Sequence, residues 1–287
     1  MLTPHQQPFA PPVGPRAGWY PDPYGGVWAR YFDGRRWTPY TTYDPRVASL
    51  AASPEEHPVL PLRVMLGAMV VLFGSLLLER DLIDRLLDRE WPVFFYMGIA
   101  VAVGYGPSVL WLWFASRRWG TGDVFADLGI RFRWQDLGWG PLIWLCTAVA
   151  VAATVGIIQV FDIPYRSNLD VGQSLFAPER TATASLVLSS VVFAPVIEEP
   201  IFRGAVMRGL LSRTHAIVAI TIQGVLFGAV HFDPDYGKEG IGLVIALTVA
   251  GIGLGTACYL MRRLGPVIIA HAVLNSVAMM VVISRWY

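Results

Sequence analysis

Two adjacent glutamates follow directly on an apolar segment long enough to enter a lipid bilayer. Residues 182–197 contain no charged side chain, and Glu198 and Glu199 come immediately after them. A charged side chain deep in a bilayer costs roughly 2.5–3.5 kcal/mol even on the lenient insertion scales. We therefore expect both carboxylates to face the interior of a helical bundle, towards a partner or a cavity, and we treat them as candidate site residues.

The composition supports a membrane location for most of the chain. Hydrophobic residues make up 54% of the 287 residues and charged residues only 15%, against about 25% charged residues in soluble domains. A net charge of +1 gives no reason to expect a nucleic-acid partner. Cys146 and Cys258 lie in apolar segments and form neither a disulfide framework nor a metal-binding CxxC pair. We expect no cofactor and no bound metal.

The first 61 residues differ in composition from the rest. Residues 1–16 are rich in proline and glutamine, lack the apolar core of a signal peptide and are predicted to be disordered. Residues 17–44 are dense in Trp, Tyr, Gly and Pro and are predicted to form a small β module, followed by a linker at 45–61. Within the module, residues 20–23 have turn chemistry, and Asp33-Gly34 predicts a hairpin between strands at 27–32 and 36–41.

The remaining residues, 62–287, form the predicted transmembrane domain. Seven apolar segments approach or exceed the ~20 residues that a spanning helix needs. They are residues 62–79, 93–115, 140–161, 183–211, 214–231, 240–261 and 265–284. The mixed segment 120–138 is predicted to lie at the membrane interface. The fold class is therefore an all-α polytopic membrane protein with about seven transmembrane helices in a bundle, plus a small β-rich N-terminal module.

The arginines predict an orientation. They are abundant before the first span and in alternate connections after it, at 117–118, 131–133, 208–213 and 262–263, while the other connections hold fewer. Under the positive-inside rule this pattern places the N-terminus in the cytoplasm. We expect a multi-pass membrane protein that contacts membrane lipid.

Further polar residues stand out within the apolar segments. His231 ends one of them, and His271 and Asn275 lie four positions apart in the last. Residues i and i+4 share a face of a helix, so Glu199 and Arg203 are spaced for a buried ion pair. Glu198 points elsewhere and is left as the free carboxylate, which suits it to act as a base near neutral pH.

Glycines and prolines predict two local features of the helices. Gly251 and Gly255 form a GxxxG pattern, which indicates close helix packing rather than a phosphate site. Pro195 and Pro200 flank the glutamates and predict a kinked or broken helix near the site.

Three motifs carry a resemblance to a known family. They are Glu198-Glu199-x-x-x-Arg203, Phe227-x-x-x-His231 and His271-x-x-x-Asn275. In this order, over residues 120–284, they resemble the CAAX-protease and bacteriocin-processing (CPBP) family of intramembrane glutamic endopeptidases. Residues 17–44 resemble a small domain of unknown function found near the N-termini of actinobacterial membrane proteins, which implies a location in the bacterial cell membrane. That domain is a candidate for binding a protein partner or the membrane surface.

The CPBP resemblance implies a role for each matched residue. Glu198 and His231 are expected to activate a water molecule, and His271 and Asn275 to hold the oxyanion. Glu199 and Arg203 are expected to support the site, with Phe227 as the remaining motif residue. The implied substrate is a membrane-associated peptide or protein, cleaved inside the membrane without a metal.

Three alternatives remain open at this point. Glu198, His231 and His271 are a plausible ligand set for a zinc protease, although the sequence lacks HExxH. A chain with these motifs can also be a non-catalytic membrane scaffold or a bacteriocin-immunity protein. Intramembrane Glu and His also serve as proton relays in transporters, but no inverted repeat is seen.

Overall fold

The computed structural model describes residues 17–22, 28–43, 60–86, 89, 91–166 and 180–284. The predicted disordered segment 1–16 and nearly all of the predicted linker 45–61 lie outside these residues. The chain divides into two compact units, residues 1–57 and 58–287, and each is described by itself.

The N-terminal unit is a three-stranded antiparallel sheet. Its strands are β1 (Gly18–Pro21), β2 (Trp28–Phe32) and β3 (Trp37–Tyr43), in the order β1-β2-β3. The hairpin predicted at Asp33-Gly34 is confirmed. The turn predicted at 20–23 is wrong in its first half, because Tyr20 and Pro21 belong to β1. Pro21 is accommodated there because β1 is an edge strand, where a missing N–H leaves no ladder bond unmade.

Aromatic rings and one ion pair hold the small sheet together. The Phe32 side chain is buried, and the rings of Tyr20 and Trp37 pack edge-on against it at centroid distances of 6.4 and 5.2 Å. Arg30 donates two hydrogen bonds to Asp22, of 2.9 and 3.0 Å. In the hairpin turn, backbone N–H groups of Arg36 and Arg35 hold the pKa of Asp33 below its usual value.

The second unit is a bundle of helices. They are α1 (Leu62–Leu86), α2 (Val93–Trp119), α3 (Val124–Leu128), α4 (Asp136–Val160), α5 (Arg180–Leu211), α6 (Ala216–Ala229), α7 (Glu239–Met261) and α8 (Gly265–Ser284). Six of these are long and apolar enough to cross a membrane among the described residues. The chain is therefore a multi-pass membrane protein.

One of the seven predicted spans is shorter than expected. The segment predicted at 214–231 forms α6, which has 14 residues. At 1.5 Å per residue such a helix is about 21 Å long, less than the ~30 Å hydrocarbon layer. The segment predicted to lie at the interface, 120–138, forms the short helix α3, an extended stretch and the start of α4 at Asp136.

Helix α5 changes its hydrogen-bond pattern where the prolines predicted a kink or break. It runs without interruption from Arg180 to Leu211 but contains two π-helical segments, Leu188–Phe193 and Pro200–Val206. Proline removes an N–H and crowds the preceding turn, and a wider π turn relieves both effects. Of the two predicted alternatives, a kink or a break, the break is wrong, because the helix continues and only its hydrogen-bond pattern changes locally.

One end of the bundle, called here the basic end, is fastened by buried charges. Asp136 accepts hydrogen bonds from Arg263, and the shortest of them measures 2.5 Å. Arg208 donates to the backbone carbonyl of Asp127, 3.0 Å away. The N–H of Leu264 donates to the carbonyl of Gly129, so the α7–α8 connection pairs with the stretch after α3.

The opposite end, called here the far end, has its own connections. Arg80 of α1 forms ion pairs with Asp233 and Asp235, at 3.1 and 2.7 Å. The N–H of Arg166, beyond the end of α4, donates to the carbonyl of Glu239 at the start of α7. The ends of α1 and α4 and the start of α7 therefore meet at the far end.

The predicted close packing of the glycines occurs between α6 and α7. A Cβ atom added to Gly251 would lie 2.8 Å from the Cα of Gly224 and 3.1 Å from the Cβ of Phe227. A real side chain does not tolerate such contacts with backbone, so the two helices approach this closely only because both positions are glycine.

Gly251→Ala should destabilise the protein, and Gly156→Ala near the end of α4 provides the matched control. No atom lies within 4 Å of the Cβ position at Gly156, so alanine there should be neutral or stabilising by up to about 1 kcal/mol. At Gly251 the new methyl group forces α6 and α7 apart, and overpacking typically costs about 1–3 kcal/mol. Thermal unfolding in detergent measures both. Equal melting temperatures for the two variants would contradict the packing argument.

Candidate active site

The centre of the site is an ion pair that is completely buried. Glu199 and Arg203 lie one helical turn apart in α5, and neither side chain is exposed at all. Arg203 Nη1 donates to Glu199 Oε1 at 3.0 Å. The i, i+4 pairing predicted from the sequence is therefore confirmed. Every residue of α5 from Glu198 to Leu210 is buried, so this part of the helix lies inside the bundle.

Neighbouring helices hold the arginine from two further directions. Arg203 Nη2 donates to the carbonyl of Gly251 at 3.1 Å, and the Gln223 amide donates to the same carbonyl at 2.8 Å. The Arg203 guanidinium lies 4.5 Å from the ring centroid of Phe227, a cation–π contact. Arg203 thus links α5 to α6 and α7, which explains why an arginine is retained in an apolar interior.

Glu199 also fixes the orientation of His271. His271 Nδ1 lies 2.8 Å from Glu199 Oε1, the same oxygen that binds Arg203. Because a carboxylate only accepts, Nδ1 carries the proton, and Nε2 is left without one in the neutral ring. Nε2 lies 3.9 Å from Glu198 Oε2. The histidine therefore connects the buried pair to the second glutamate.

Glu198 is not the free carboxylate that the sequence predicted. The hydroxyl of Tyr105 donates to Glu198 Oε1 at 2.5 Å. Tyr105 ends a π-helical segment of α2, Ala100–Tyr105, and α2 lies far from the three motifs in sequence. Glu198 Oε2 is the oxygen nearer to His271. One carboxylate oxygen is therefore held by tyrosine and the other is turned towards the histidine.

His231 and Asn275 each bind a backbone carbonyl with one polar group and keep another polar group available. His231 Nδ1 lies 2.7 Å from the carbonyl of Phe227 and must donate to it, so Nε2 accepts in the neutral ring. The Asn275 amide donates to the carbonyl of Ser190 at 2.7 Å and keeps a second N–H. The Phe227 ring lies 5.0 Å from the His231 ring and 5.8 Å from the His271 ring, between centroids.

These side chains line one cavity of about 450 Å³. Glu198, His231, His271 and Asn275 all contribute to its wall, as does Phe227. Most of the other lining side chains are apolar. Glu199 and Arg203 lie behind the wall. The predicted convergence of Glu198, His231 and His271 on a single cavity is therefore confirmed, although 73 positions separate Glu198 from His271.

Sequence reasoning missed two groups that contact the motif residues. Tyr105 lies in a largely apolar segment, and nothing in the sequence pairs it with Glu198. Ser190 contributes only its backbone carbonyl to Asn275, and a carbonyl group leaves no sequence signal. In the structure, both residues lie in π-helical segments, which occur frequently at functional sites.

The described residues show no grouping suited to a metal. No three His, Cys, Asp or Glu side chains among them are placed to hold an ion together. Glu198, His231 and His271, the candidate zinc ligands, share a cavity, and Nδ1 of each histidine is engaged with a carboxylate or carbonyl oxygen. Such an engagement leaves Nε2 as the atom that would ligate a metal, so these hydrogen bonds do not separate the zinc mechanism from the metal-free one.

Comparison with known proteins assigns two parts of the chain. Residues 180–277 match the family model described as type II CAAX prenyl endopeptidase Rce1-like. The matched segment is therefore similar to the Rce1-like domains and covers about a third of the chain. Residues 17–53 match a family described as a protein of unknown function, DUF2510. No curated protein and no solved structure matches the chain.

The Rce1-like match extends from the start of α5 to within α8 and includes all seven motif residues. It is narrower than the predicted 120–284, so Tyr105 and helix α4 lie outside it. At the level of the family, the match supports a function in intramembrane proteolysis.

Arg203→Ala should destabilise the protein more than Arg203→Lys, because lysine retains a charge for Glu199. Leaving one member of a buried pair without its partner costs about 3–5 kcal/mol. Adding Glu199→Ala to Arg203→Ala should restore part of the folding stability, since the unpaired charge is removed. Because Glu199 also orients His271, the double variant should remain inactive. Thermal unfolding and a cleavage assay measure the two effects, and a double variant no more stable than Arg203→Ala would count against the pairing.

Proposed function

We propose that this protein is an intramembrane endopeptidase that hydrolyses a peptide bond with a water molecule activated by Glu198 and His231. The observation that carries the proposal is the convergence of Glu198, His231, His271 and Asn275 on one cavity inside the bundle. The Rce1-like match supports the same reaction class. The expected substrate is a membrane-associated peptide or protein.

The first chemical step belongs to Glu198 and His231. Nε2 of neutral His231 accepts a hydrogen bond and can orient a water molecule, while the Glu198 carboxylate removes a proton from it. As the water oxygen forms a bond to the carbonyl carbon, the proton passes to Glu198. When the tetrahedral intermediate collapses and the C–N bond breaks, Glu198 returns the proton to the leaving amine.

His271 and Asn275 are suited to stabilise the negative oxygen of that intermediate. Asn275 has one N–H left after binding the Ser190 carbonyl. His271 can donate from Nε2 when its ring is in the imidazolium form, since Nδ1 is committed to Glu199. Removing one oxyanion donor in a protease typically costs about 10²–10³-fold in rate.

Tyr105 is assigned to this machinery as a positioning residue. Its hydroxyl holds Glu198 Oε1 and leaves Oε2 for the water. The Tyr105 side chain, in α2, is half-buried. A hydrogen bond from its hydroxyl offsets part of the free-energy cost of keeping the Glu198 carboxylate inside the membrane. Tyr105 therefore acts through Glu198 and has no separate contact with the substrate in the proposal.

The proposal also includes the orientation of the protein in the membrane and its cellular location. The arginine distribution supports an orientation with the basic end of the bundle in the cytoplasm of a bacterial cell. The N-terminal module, similar to DUF2510, is proposed to bind a protein partner. The zinc mechanism and the non-catalytic scaffold are the competing functions. Cleavage that persists after exhaustive chelation argues against the former, and any Glu198-dependent cleavage argues against the latter.

Glu198→Gln should abolish cleavage while the protein still inserts and folds. Glutamine keeps the shape of the side chain and removes the base, and loss of a general base typically costs about 10²–10⁴-fold in rate. Glu239→Gln, at an exposed position of the far end, is the matched control and should keep full activity. Mass spectrometry of membrane-anchored peptides from cells expressing each variant provides the assay. Wild-type processing by the Glu198 variant would remove this residue from the mechanism.

Tyr105→Phe should lower the turnover rate by about 10- to 100-fold and leave KM nearly unchanged. A hydrogen bond to a charged group is worth about 1.5–3 kcal/mol, and each 1.36 kcal/mol is a factor of ten. Tyr96→Phe is the matched control, because the Tyr96 hydroxyl in the same helix donates to the carbonyl of Leu86 at 3.0 Å and lies outside the cavity. Both variants should lose similar thermal stability. An equal turnover rate for the two would assign Tyr105 a structural role only.

A further inference from the structure

One face of the N-terminal sheet carries an aromatic side chain on each of its three strands. Trp19 of β1 pairs with Tyr31 of β2, and Ala29 of β2 pairs with Thr42 of β3. Side chains alternate between the two faces along a strand, so Tyr31 lies on the same face as Ala29, and Tyr40 on the same face as Thr42. Trp19, Tyr31 and Tyr40 therefore share one face, called here the aromatic face.

The aromatic face is open, whereas the opposite face buries the side chain of Phe32. Trp19 is 50% exposed and Tyr40 is 68% exposed. The Trp19 and Tyr31 rings lie 5.3 Å apart between centroids, and their planes are inclined at 65°, so they stand at an angle rather than flat against each other. The indole N–H of Trp19 and the hydroxyls of both tyrosines have no hydrogen-bond partner among the described residues. Exposed aromatic rings with unused donors indicate a binding surface.

The charge of this face restricts the kind of partner. No charged side chain lies on it within the described parts of the three strands, because Arg30 points to the opposite face, where it binds Asp22. Its other polar residues are Thr38 and Thr42. Surfaces that bind membranes usually combine aromatic side chains with lysine or arginine, and this face does not. The partner that fits it is therefore an uncharged segment.

A segment in the polyproline II conformation fits the face in spacing and in hydrogen bonding. Neighbouring strands lie about 4.8 Å apart, so β1 and β3 are separated by about 9.6 Å. Polyproline II advances 3.1 Å per residue with three residues per turn, a repeat of about 9.3 Å. A proline-rich segment that crosses the strands thus spans the distance from Trp19 to Tyr40 in one turn. Proline offers a carbonyl acceptor and no N–H, which complements indole and hydroxyl donors. Aromatic-lined grooves are a known way to bind such segments.

The chain itself contains a sequence of this composition directly before the sheet. Residues 1–16 include no acidic residue and have five prolines, Pro4, Pro8, Pro11, Pro12 and Pro15. The dipeptide Gly14-Pro15 has turn chemistry and separates Pro11 and Pro12 from β1. The five residues 13–17 can span up to about 17 Å, which exceeds the width of the three strands. The sequence is therefore long enough to turn back onto the aromatic face.

We propose that the aromatic face binds residues 4–12 of the same chain in an extended polyproline II conformation. The proposal goes beyond the proteolytic function and does not depend on it. A segment tethered by a short linker is present at an effective concentration of about a millimolar, so a site of modest affinity is already occupied. A protein partner that uses this face must displace the segment.

Binding of a labelled peptide to the full-length protein in detergent tests the proposal. The probe is a fluorescein-labelled synthetic peptide with the sequence of residues 1–16, and fluorescence polarisation measures its Kd. The two receptors are the wild-type chain and a full-length variant that carries Pro8→Ala, Pro11→Ala and Pro12→Ala. The wild-type segment competes with the peptide and the altered segment does not. For an intrinsic Kd below about 100 µM, the variant should bind the peptide at least about tenfold more tightly than the wild-type chain.

Further substitutions locate the binding site within the sheet. Added to the triple variant, Tyr40→Ala should weaken peptide binding by about 30-fold, as expected for an aromatic anchor. Tyr40 is exposed and has no ring contact among the described residues, so the sheet should stay folded without it. Thr41→Ala, at an exposed position of the opposite face, is the matched control and should bind the peptide as the triple variant does.

A peptide with the same three proline-to-alanine changes requires no altered protein and should bind neither receptor. Equal affinity of the wild-type chain and the triple variant for the unaltered peptide would overturn the proposal, because the face would then not be occupied in the same chain. Equal binding by the Tyr40→Ala and Thr41→Ala proteins would also overturn it. Absence of any binding would do the same and would leave the membrane surface as the alternative partner of the face.

Discussion

The buried contact between Glu199 and Arg203 is the interaction on which the rest of the site depends. Both side chains are removed from solvent completely, so each charge would be expensive without the other. One oxygen, Glu199 Oε1, receives both Arg203 and His271. The pair therefore holds the histidine ring at the edge of the cavity, and Arg203 in turn joins α5 to the carbonyl of Gly251 in α7.

The part of the site that follows from helical periodicity could be predicted from the sequence. The spacing of Glu199 and Arg203 is sufficient to predict their pairing, because four positions return a helix to the same face. The assignment of Glu198 as free was wrong for a reason that spacing cannot reveal. Its partner, Tyr105, comes from another helix 93 positions away, and contacts of that kind depend on how the helices pack. Six of the seven predicted spans form helices long enough to cross a bilayer, and the seventh forms α6, which is largely apolar but has only 14 residues.

Three π-helical segments lie at the level of the site, and they show how the helices supply groups that regular helices would point elsewhere. Tyr105 ends the first, the carbonyl of Ser190 lies in the second, and Arg203 lies in the third. Each π turn rotates the residues that follow it relative to a regular helix and leaves local carbonyls less well satisfied. In α5 the prolines account for this change of pattern. The same arrangement is found in α2, where Pro107 follows the π-helical segment by two positions, as Pro195 follows the first segment of α5.

The buried charged groups that stabilise the fold and the cavity that contains the candidate site lie at different levels of the bundle. The fully buried charged groups, among them Asp127, Asp136 and Arg208, are concentrated between the level of Glu199 and the basic end. There they fasten the connections between the helices within a closely packed interior. Nearer to the far end, the lining of the cavity is uncharged apart from the site itself. Glu198 lies at this boundary, where the Tyr105 hydroxyl binds one oxygen of its carboxylate and the other oxygen is turned towards His271.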